Sequence, residues 1–262
     1  MPGKKYSIVV GTNNRHKFTE IRAILADVAN VDLVPLSAFS NVPPIDETEK
    51  TFAGNAAKKA LELARFLQAM GRLSYANQST SQDDDDTDFE ALAGERARTS
   101  GRHKKVSVGE GSGRRPAIAK PKNLDLLVMA DDSGLEVDAL GGAPGVLSAR
   151  YAGTHGDDAA NNKLLLQNLK GVPAGKRKAR FVCEIALACP DGPLLGVRGA
   201  VEGMITDAPR GSGGFGYDPL FLYPPRGKTF GELDAETKNQ ISHRSQALAM
   251  FKLELTRLLG TA

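Results

Sequence analysis

Ala130-Asp131-Asp132-Ser133-Gly134 is the stretch around which the rest of this chain is organised, because it directly follows the apolar run Leu124 to Met129. The run predicts a short buried strand over Leu126 to Met129 that delivers two neighbouring carboxylates to its end. Carboxylates at a strand end are stable when they meet water or a metal ion, and costly when they are buried without a partner. The pair therefore favours a divalent-cation site, with Mg²⁺ serving a phosphate substrate as the leading candidate. A solvated turn with an Asx-type hydrogen bond is the equally weighted alternative.

The flanking segments alternate between strand and helix patterns. A turn signal at Pro190-Asp191-Gly192 predicts a hairpin between two long strands. Strand–helix units combined with a hairpin predict an α/β protein with a mixed sheet. The predicted strands are Tyr6 to Val10, Val31 to Pro35, Ala179 to Ala188 and Pro193 to Met204. The predicted helices are Lys17 to Leu25, Thr51 to Leu67 with Phe52, Ala56, Ala60 and Leu63 on one face, Asp157 to Leu169, and a last helix with Leu248, Phe251, Leu255 and Leu258 on its apolar face.

Composition narrows the class of protein. The 262 residues are 41% hydrophobic, and a net charge of +3 is too small to indicate a nucleic-acid partner. Cys183 and Cys189 fall on one predicted strand, roughly 20 Å apart at ~3.3 Å per residue, so they are not expected to bond to each other. Unpaired cysteines suit a reducing cytoplasm. No apolar run approaches the ~20 residues of a membrane span, and residues 1–6 lack an apolar signal core, so no membrane partner is expected.

Residues 71–123 differ in composition from the remainder of the chain. Four aspartates at 83–86 precede a series of arginines and lysines, and apolar residues are sparse. Such a segment cannot bury enough surface to offset its ordering entropy, so we predict a flexible insertion within one domain spanning 1–262. One helical turn is expected near Phe89 to Leu92. A nucleic-acid or partner-binding tail is the less favoured reading of the same charges.

Two polar groups near the N-terminus carry candidate chemistry. The loop Gly11 to Lys17 follows the first strand and precedes a helix, which is an arrangement that offers backbone N–H groups, Thr12, Asn14 and Lys17 to an anion. The plain alternative is a helix N-cap with a surface lysine. Glu47 lies before the next helix and is either an acid that favours the helix dipole or a third metal carboxylate. Thr51, Asn55 and Lys59 share one stripe of that helix and could face the same cleft.

Two further groups lie towards the C-terminus. The glycine-rich loop Gly211 to Pro219 carries Phe215 and Tyr217, and glycines around an aromatic ring can leave it free to stack on a base. One of these rings filling the core is the alternative. Lys238, His243 and Arg244 lie at the entry to the last helix, where an arginine can grip an acceptor such as the O6 of a 6-oxopurine. The same residues could simply cap that helix.

Together these segments resemble the inosine triphosphate pyrophosphatase (Ham1/RdgB-like) family, which hydrolyses non-standard purine nucleoside triphosphates. The resemblance covers nearly the whole chain outside 71–123, and its specificity comes from several weak motifs in family order. The motifs are Thr12-x-Asn14-x-x-Lys17, Glu47-Thr48, Phe52-x-x-Asn55-x-x-x-Lys59, Asp131-Asp132-Ser133-Gly134, Leu140 to Gly145, Ser148-Ala149-Arg150-Tyr151, Gly213 to Pro219 and Ile241-Ser242-His243-Arg244.

The resemblance implies an elongated mixed sheet between two helical lobes, an active site in the cleft between them, a homodimer and Mg²⁺ as cofactor. It implies hydrolysis of dITP, ITP and XTP to the monophosphate and pyrophosphate, with Asp132 as the base that activates water. The remaining implied roles are triphosphate binding by Thr12, Asn14, Lys17 and Lys59, Mg²⁺ binding by Glu47 and Asp132, support by Asp131, Ser133 and Asn55, base stacking by Phe215 with Gly216, Tyr217 and Asp218 beside it, and reading of the purine edge by Lys238, His243 and Arg244.

Two other functions compete with this expectation. A Maf-like nucleotide pyrophosphatase of different base preference is disfavoured by the Phe215 loop and by Ser242-His243-Arg244. A nucleotide sensor without catalysis is disfavoured by the full acid set of Glu47, Asp131 and Asp132. Two features depart from the family pattern, namely the insertion at 71–123 and Gly54, which costs ~1 kcal/mol relative to alanine inside a helix.

Overall fold

The computed structural model describes residues 5–79 and 126–260 of the chain. The chain divides into two units, Met1–Ala69 with Pro121–Ala262 and Met70–Lys120, and the fold described below belongs to the first. A helix already spans the first ten residues of the second unit, past the predicted helix end at Leu67 and the predicted start of the insertion at 71. The helical turn predicted near Phe89 to Leu92 lies outside the described residues.

In the part of the chain that the structure describes, seven strands form one mixed sheet, in the order β2-β1-β3-β4-β5-β6-β7. The first three strands are parallel, and every later pairing in this sheet is antiparallel. The strands are β1 (Tyr6–Val10), β2 (Val31–Pro35), β3 (Leu127–Val137), β4 (Lys178–Cys189), β5 (Gly192–Ile205), β6 (Phe221–Tyr223) and β7 (Lys228–Thr229).

Within residues 5–79 and 126–260, five α-helices accompany the sheet. The mixed α/β architecture predicted from the sequence is confirmed. The predicted hairpin is present as β4 and β5, which pair along almost their whole length. In the described ranges, no helix combines the length and apolar character needed to cross a membrane. The helices are α1 (Arg15–Leu25), α2 (Phe52–Ser79), α3 (Asp158–Asn168), α4 (Ala235–Ile241) and α5 (His243–Leu259).

Alternation along β3 gives the sheet two packed faces. On one face, Leu127 and Met129 belong to a core shared with α1 and α5, and Leu135 and Val137 belong to a second core shared with α3 and the end of β5. On the other face, Val128 packs with α2. The stretch that begins at Asp131 therefore lies at the junction between two cores on the first face.

The prediction that β3 ends before its carboxylates is wrong. The strand continues through Asp131 and Asp132 to Val137, and both aspartates pair with β4, opposite Ile185 and Glu184. The sequence pattern broke at the aspartates because charged residues seldom occupy a buried strand unless they are paired. In the folded chain Asp131 forms an ion pair with Lys17, and Asp132 accepts a hydrogen bond from Asn55.

Candidate active site

The two aspartates of β3 serve opposite faces of the sheet, because neighbouring strand residues project in opposite directions. Asp131 contacts Lys17 and Ser133, whereas Asp132 contacts Asn55 of α2. β1 ends at Val10, level with Met129, so the aspartates lie just beyond the end of the parallel pairing. The expectation that the adjacent pair forms one cation site is therefore corrected, since the carboxylates diverge.

Asp131 is almost fully buried and is compensated by two cations. Its Oδ2 lies 2.9 Å from Lys17 Nζ and 3.8 Å from Arg244 Nε, and Ser133 Oγ donates to it over 3.3 Å. Burial alone would raise the pKa of this carboxyl, but the charges of Lys17, Arg244 and Lys59 outweigh burial and hold the pKa well below its ordinary value. Asp131 is thus a permanent anion that holds Lys17 and Arg244 at the site.

Among the described residues, no lysine or arginine forms an ion pair with Asp132. Asn55 Nδ2 donates to its Oδ2 over 2.9 Å, and the backbone N–H of Ser133 donates to its Oδ1 over 3.0 Å. Burial raises the pKa of Asp132, Lys59 and Asn55 oppose that rise, and the charges of Glu47 and Asp131 add to it. A carboxylate that is held by neutral donors and has a raised pKa is suited to accepting a proton.

Glu47 lies in the loop before α2, within the electrostatic reach of Asp132. Lys59 Nζ donates to its Oε1 over 2.7 Å, and Arg150 Nη1 lies 3.4 Å from its Oε2. Burial would raise the pKa of Glu47, but these two cations lower it, so the carboxylate is ionised. Of the predicted stripe Thr51, Asn55 and Lys59, the last two contact the acids Asp132 and Glu47, whereas Thr51 precedes α2 and its Oγ1 accepts from the N–H of Gly54.

The loop after β1 is held by its own polar side chains. Thr12 Oγ1 accepts from the N–H of Asn14, and Asn14 Oδ1 accepts from the N–H of Lys17, which makes Asn14 a cap of α1. The capping alternative thus holds, while Lys17 still reaches the acid centre. A cavity of about 500 Å³ adjoins this loop, with Gly11, Asn13 and Lys59 among its lining residues.

The two aromatic rings of the glycine-rich loop differ in their exposure to solvent. The Phe215 residue is 59% exposed, as predicted for a ring available for stacking. Tyr217 is 4% exposed and its hydroxyl donates to the Ser148 carbonyl over 2.9 Å, so its ring fills the core. Gly216 is fixed between Asp158, which accepts from its N–H, and Asn162, which donates to its carbonyl.

Asp218 connects this loop to α4. Its carboxylate accepts from the N–H of Phe215 over 2.8 Å and forms an ion pair with Lys238. The Lys238 ammonium also lies 4.6 Å from the centre of the Phe215 ring, a cation–π contact. Burial raises the pKa of Asp218 against the lowering effect of Lys238. The predicted residues Phe215, Asp218 and Lys238 therefore form one cluster.

His243 and Arg244 begin α5 and are both buried. The His243 ring stacks on Phe181 at 5.0 Å, and within the described residues its Nδ1 has no hydrogen-bond partner. Burial and then the charges of Arg244 and Lys238 lower the pKa of His243 well below its ordinary value, so the ring is neutral. Arg244 Nη1 binds Glu20 over 3.2 Å in addition to its approach to Asp131. Arg244 thus links α5 to the acid centre.

Sequence reasoning gave no role to two residues that the structure brings to the site. In the sequence, Arg150 belongs to the motif Ser148-Ala149-Arg150-Tyr151, which indicates no role for it, and Glu20 belongs to no motif. The arginine motif was visible, but its partner Glu47 lies 103 positions away along the chain, and nothing local indicates that pairing.

The structure is therefore that of an α/β protein whose mixed sheet carries an acid centre held by lysines and whose glycine-rich loop carries an exposed aromatic ring. Comparison with known proteins gives the family. The sequence profile of the Ham1 family matches residues 8–107 and 73–254, and the chain belongs to this family.

Relatives of similar length support the assignment. A protein named dITP/XTP pyrophosphatase from Exiguobacterium sibiricum is 42% identical over 253 residues, which cover 97% of this chain and 98% of that protein. A protein of the same name from Rhodopirellula baltica is 38% identical over 98% of this chain and 96% of its own length. Among solved structures, a HAM1 protein from Coxiella burnetii superposes with a TM-score of 0.70 at 32% identity, covering 96% of this chain and 99% of that one.

Proposed function

We propose that this protein is a nucleoside triphosphate pyrophosphohydrolase that converts dITP, ITP and XTP to the monophosphate and pyrophosphate. Removing these deaminated purines keeps them out of DNA and RNA. The curated relatives carry the name dITP/XTP pyrophosphatase, and the two described above match nearly the whole chain. The observation that carries the proposal is the placement of Asp132, a carboxylate with a raised pKa that is held by Asn55 beside the Glu47–Lys59 pair.

The proposed roles follow from these contacts. Asp132 accepts the proton of the water that attacks the α-phosphorus, because it is the acid of the site held by neutral donors. Lys17 and Lys59 supply positive charge to the triphosphate, and attack in line with the leaving pyrophosphate needs such neutralisation. Thr12 and Asn14 shape the loop that borders the phosphates. Asp131 supports the centre by holding Lys17, and Ser133 supports it by donating a hydrogen bond to Asp131.

A divalent cation fits the acids that are present. Among the described residues, no group of three or more His, Cys, Asp or Glu side chains could hold a metal by itself. Mg²⁺ commonly binds one or two carboxylates together with substrate phosphates, and Glu47 and Asp132 offer two hard oxygen ligands of that kind. We therefore propose Mg²⁺ as the cofactor, held by these two residues, where it would neutralise developing charge on phosphate oxygens.

Base recognition is proposed for the cluster around the exposed ring. Phe215 stacks on the purine, with Gly216 and Asp218 shaping its loop. Lys238, whose ammonium lies 4.6 Å from the centre of the Phe215 ring, reads the purine edge. His243 and Arg244 read the 6-oxo group, a role supported by the buried nitrogen atoms Nδ1 and Nε, which lack hydrogen-bond partners within the described part of the chain. Tyr217 contributes through its backbone and through the packing of its loop.

Pyrophosphate release with Mg²⁺ tests the reaction. The panel is dITP and XTP beside dATP and dGTP at equal concentration, for the wild type and Asp132→Asn. We expect release from the first pair only, and loss of most turnover in the variant with its fold intact by circular dichroism. Turnover of other bases instead would favour a Maf-like enzyme, and nucleotide binding without turnover would favour a sensor. An Asp132→Asn variant as active as the wild type would remove the base role.

The remaining expectations stay proposals with their own measurements. We propose a homodimer, which light scattering after size exclusion would test, and one domain interrupted within 71–123, which limited proteolysis would test. A cytoplasmic location is supported by the free, buried thiols of Cys183 and Cys189. Fractionation of cells that express the full chain would test it.

A further inference from the structure

Glu47 lacks the support that secondary structure gives to the other acids of the site. Residues 42–49 have no regular structure, whereas Asp131 and Asp132 are fixed in the ladder between β3 and β4. A carboxylate on such a loop must be oriented by its side-chain contacts if it is to bind a cation with defined geometry. The orientation of Glu47 therefore depends on its contacts with neighbouring side chains.

Two cations hold Glu47, and they do so differently. Lys59 makes one contact, from Nζ to Oε1 at 2.7 Å. Arg150 makes two contacts, because Nη1 lies 3.4 Å from Oε2 while Nη2 donates to the backbone carbonyl of Glu47 over 3.2 Å. The planar guanidinium thus fixes both the side chain and the backbone of the same residue, which the point charge of a lysine cannot do.

Arg150 is itself rigidly placed. It ends the 3₁₀ helix Gly145–Arg150, in which Ser148 Oγ accepts from the N–H of Leu135 over 2.8 Å and donates to the Gly145 carbonyl. A Cβ added at Gly134 would lie 2.4 Å from Ser148 Oγ, so this short helix packs directly on β3. The Tyr217 hydroxyl also donates to the Ser148 carbonyl, over 2.9 Å. Because this short helix is fixed on β3, the contacts of Arg150 hold the loop of Glu47 in a fixed position relative to β3.

We propose that Arg150 is a positioning residue that holds Glu47 in the orientation in which its carboxylate binds the divalent cation. The inference rests on the proposed function in one respect, namely that Glu47 is a cation ligand. Lys59 can leave Oε1 when a cation arrives, because its ammonium is also attracted by Asp131 and Asp132. The bond from Arg150 to the backbone carbonyl of Glu47 does not use the carboxylate oxygens that a cation would bind, so it can hold the loop while the carboxylate changes partner.

Arg150 could act only through its positive charge or could position Glu47, and the two roles predict opposite changes in cation affinity when the arginine is removed. If Arg150 acted only as a nearby positive charge, Arg150→Met would strengthen cation binding by removing repulsion. If it positions Glu47, the same variant weakens binding about 10–100-fold, the usual effect of losing a group that orients a metal ligand. Arg150→Lys keeps the charge but loses the two-point contact, so positioning predicts weaker binding there as well.

Calorimetric titration of Mn²⁺ into the metal-free protein, without nucleotide, measures this directly. The matched control is Arg180→Met, since Arg180 is 30% exposed against 32% for Arg150 and binds carboxylates outside the site. We expect weaker Mn²⁺ binding in both Arg150 variants and wild-type affinity in the control. Unchanged or tighter binding in Arg150→Met would overturn the proposal, and if that variant fails to fold, unchanged affinity in Arg150→Lys does so instead.

A kinetic measurement separates this proposal from the proposed function. With dITP as substrate, the Mg²⁺ concentration for half-maximal rate should rise about tenfold or more in Arg150→Met. The KM for dITP at saturating Mg²⁺ should stay within about twofold, because Arg150 is not among the proposed substrate contacts. A wild type that binds Mn²⁺ but hydrolyses no nucleotide would refute the proposed function and leave the Mn²⁺ titration as a valid test of Arg150.

Discussion

Replacing Asn55 by alanine tests whether the interior of the site depends on one amide. Asn55 is fully buried, donates to Asp132 Oδ2 over 2.9 Å and accepts from the N–H of Glu49 over 2.9 Å. A hydrogen bond to a charged group contributes about 1.5–3 kcal/mol and a neutral one about 0.5–1.5 kcal/mol. Because Glu49 is exposed, water can replace its lost partner, so we expect Asn55→Ala to lower the free energy of unfolding by about 2–4 kcal/mol.

Urea unfolding followed by circular dichroism measures this loss, and the melting temperature should fall by roughly 4–16 °C for a chain of this size. Asn168→Ala is the matched control, because Asn168 is exposed and its amide donates to the Tyr151 hydroxyl rather than to a buried carboxylate. We expect the control to change stability by less than about 0.5 kcal/mol. A loss in Asn55→Ala no larger than in the control would refute the argument that the amide stabilises the carboxylate.

Three further predictions follow from burial and charge. Phe215→Ala should leave the melting temperature unchanged, because the ring is exposed. The variant should lower kcat/KM for dITP about 5- to 150-fold, because it loses ~1–3 kcal/mol of stacking on the base. An unchanged kcat/KM would exclude stacking. Burial and then the charge of Arg244 lower the pKa of His243, so below about pH 6.5 the unfolded chain takes up a proton that the folded chain does not. The free energy of unfolding, measured with urea, should therefore fall as the pH drops from about 7.5 to about 5.5. In His243→Gln this free energy should depend less steeply on pH. Burial raises the pKa of Cys183 to about 12, so iodoacetamide at pH 8 should leave this thiol unmodified in the native protein and alkylate it in urea, as mass spectrometry of the peptides would show.

Much of the fold followed from local patterns. The apolar runs of β1 and β2, the turn between β4 and β5, and the stripe Phe52, Ala56, Ala60 and Leu63 on α2 were each readable from periodicity, and those four side chains are buried. Gly54 was expected to weaken α2, but it lies in the first turn, where its N–H donates to Thr51 Oγ1 and a Cβ would meet Glu49 at 2.8 Å. Only the folded chain reveals that close approach.

Sequence alone determined the residue types of the site and their order, because each motif combines a local pattern with a chemical group. Only the tertiary structure decided which of those groups contact each other. Asp131 and Asp132 are neighbours in sequence, but strand alternation sends one to Lys17 and Arg244 and the other to Asn55. Phe215 and Tyr217 share one loop, but only one ring finds a place in the core. Pairings across a hundred residues, such as Arg150 with Glu47, arise from the packing of distant segments, which no local pattern encodes.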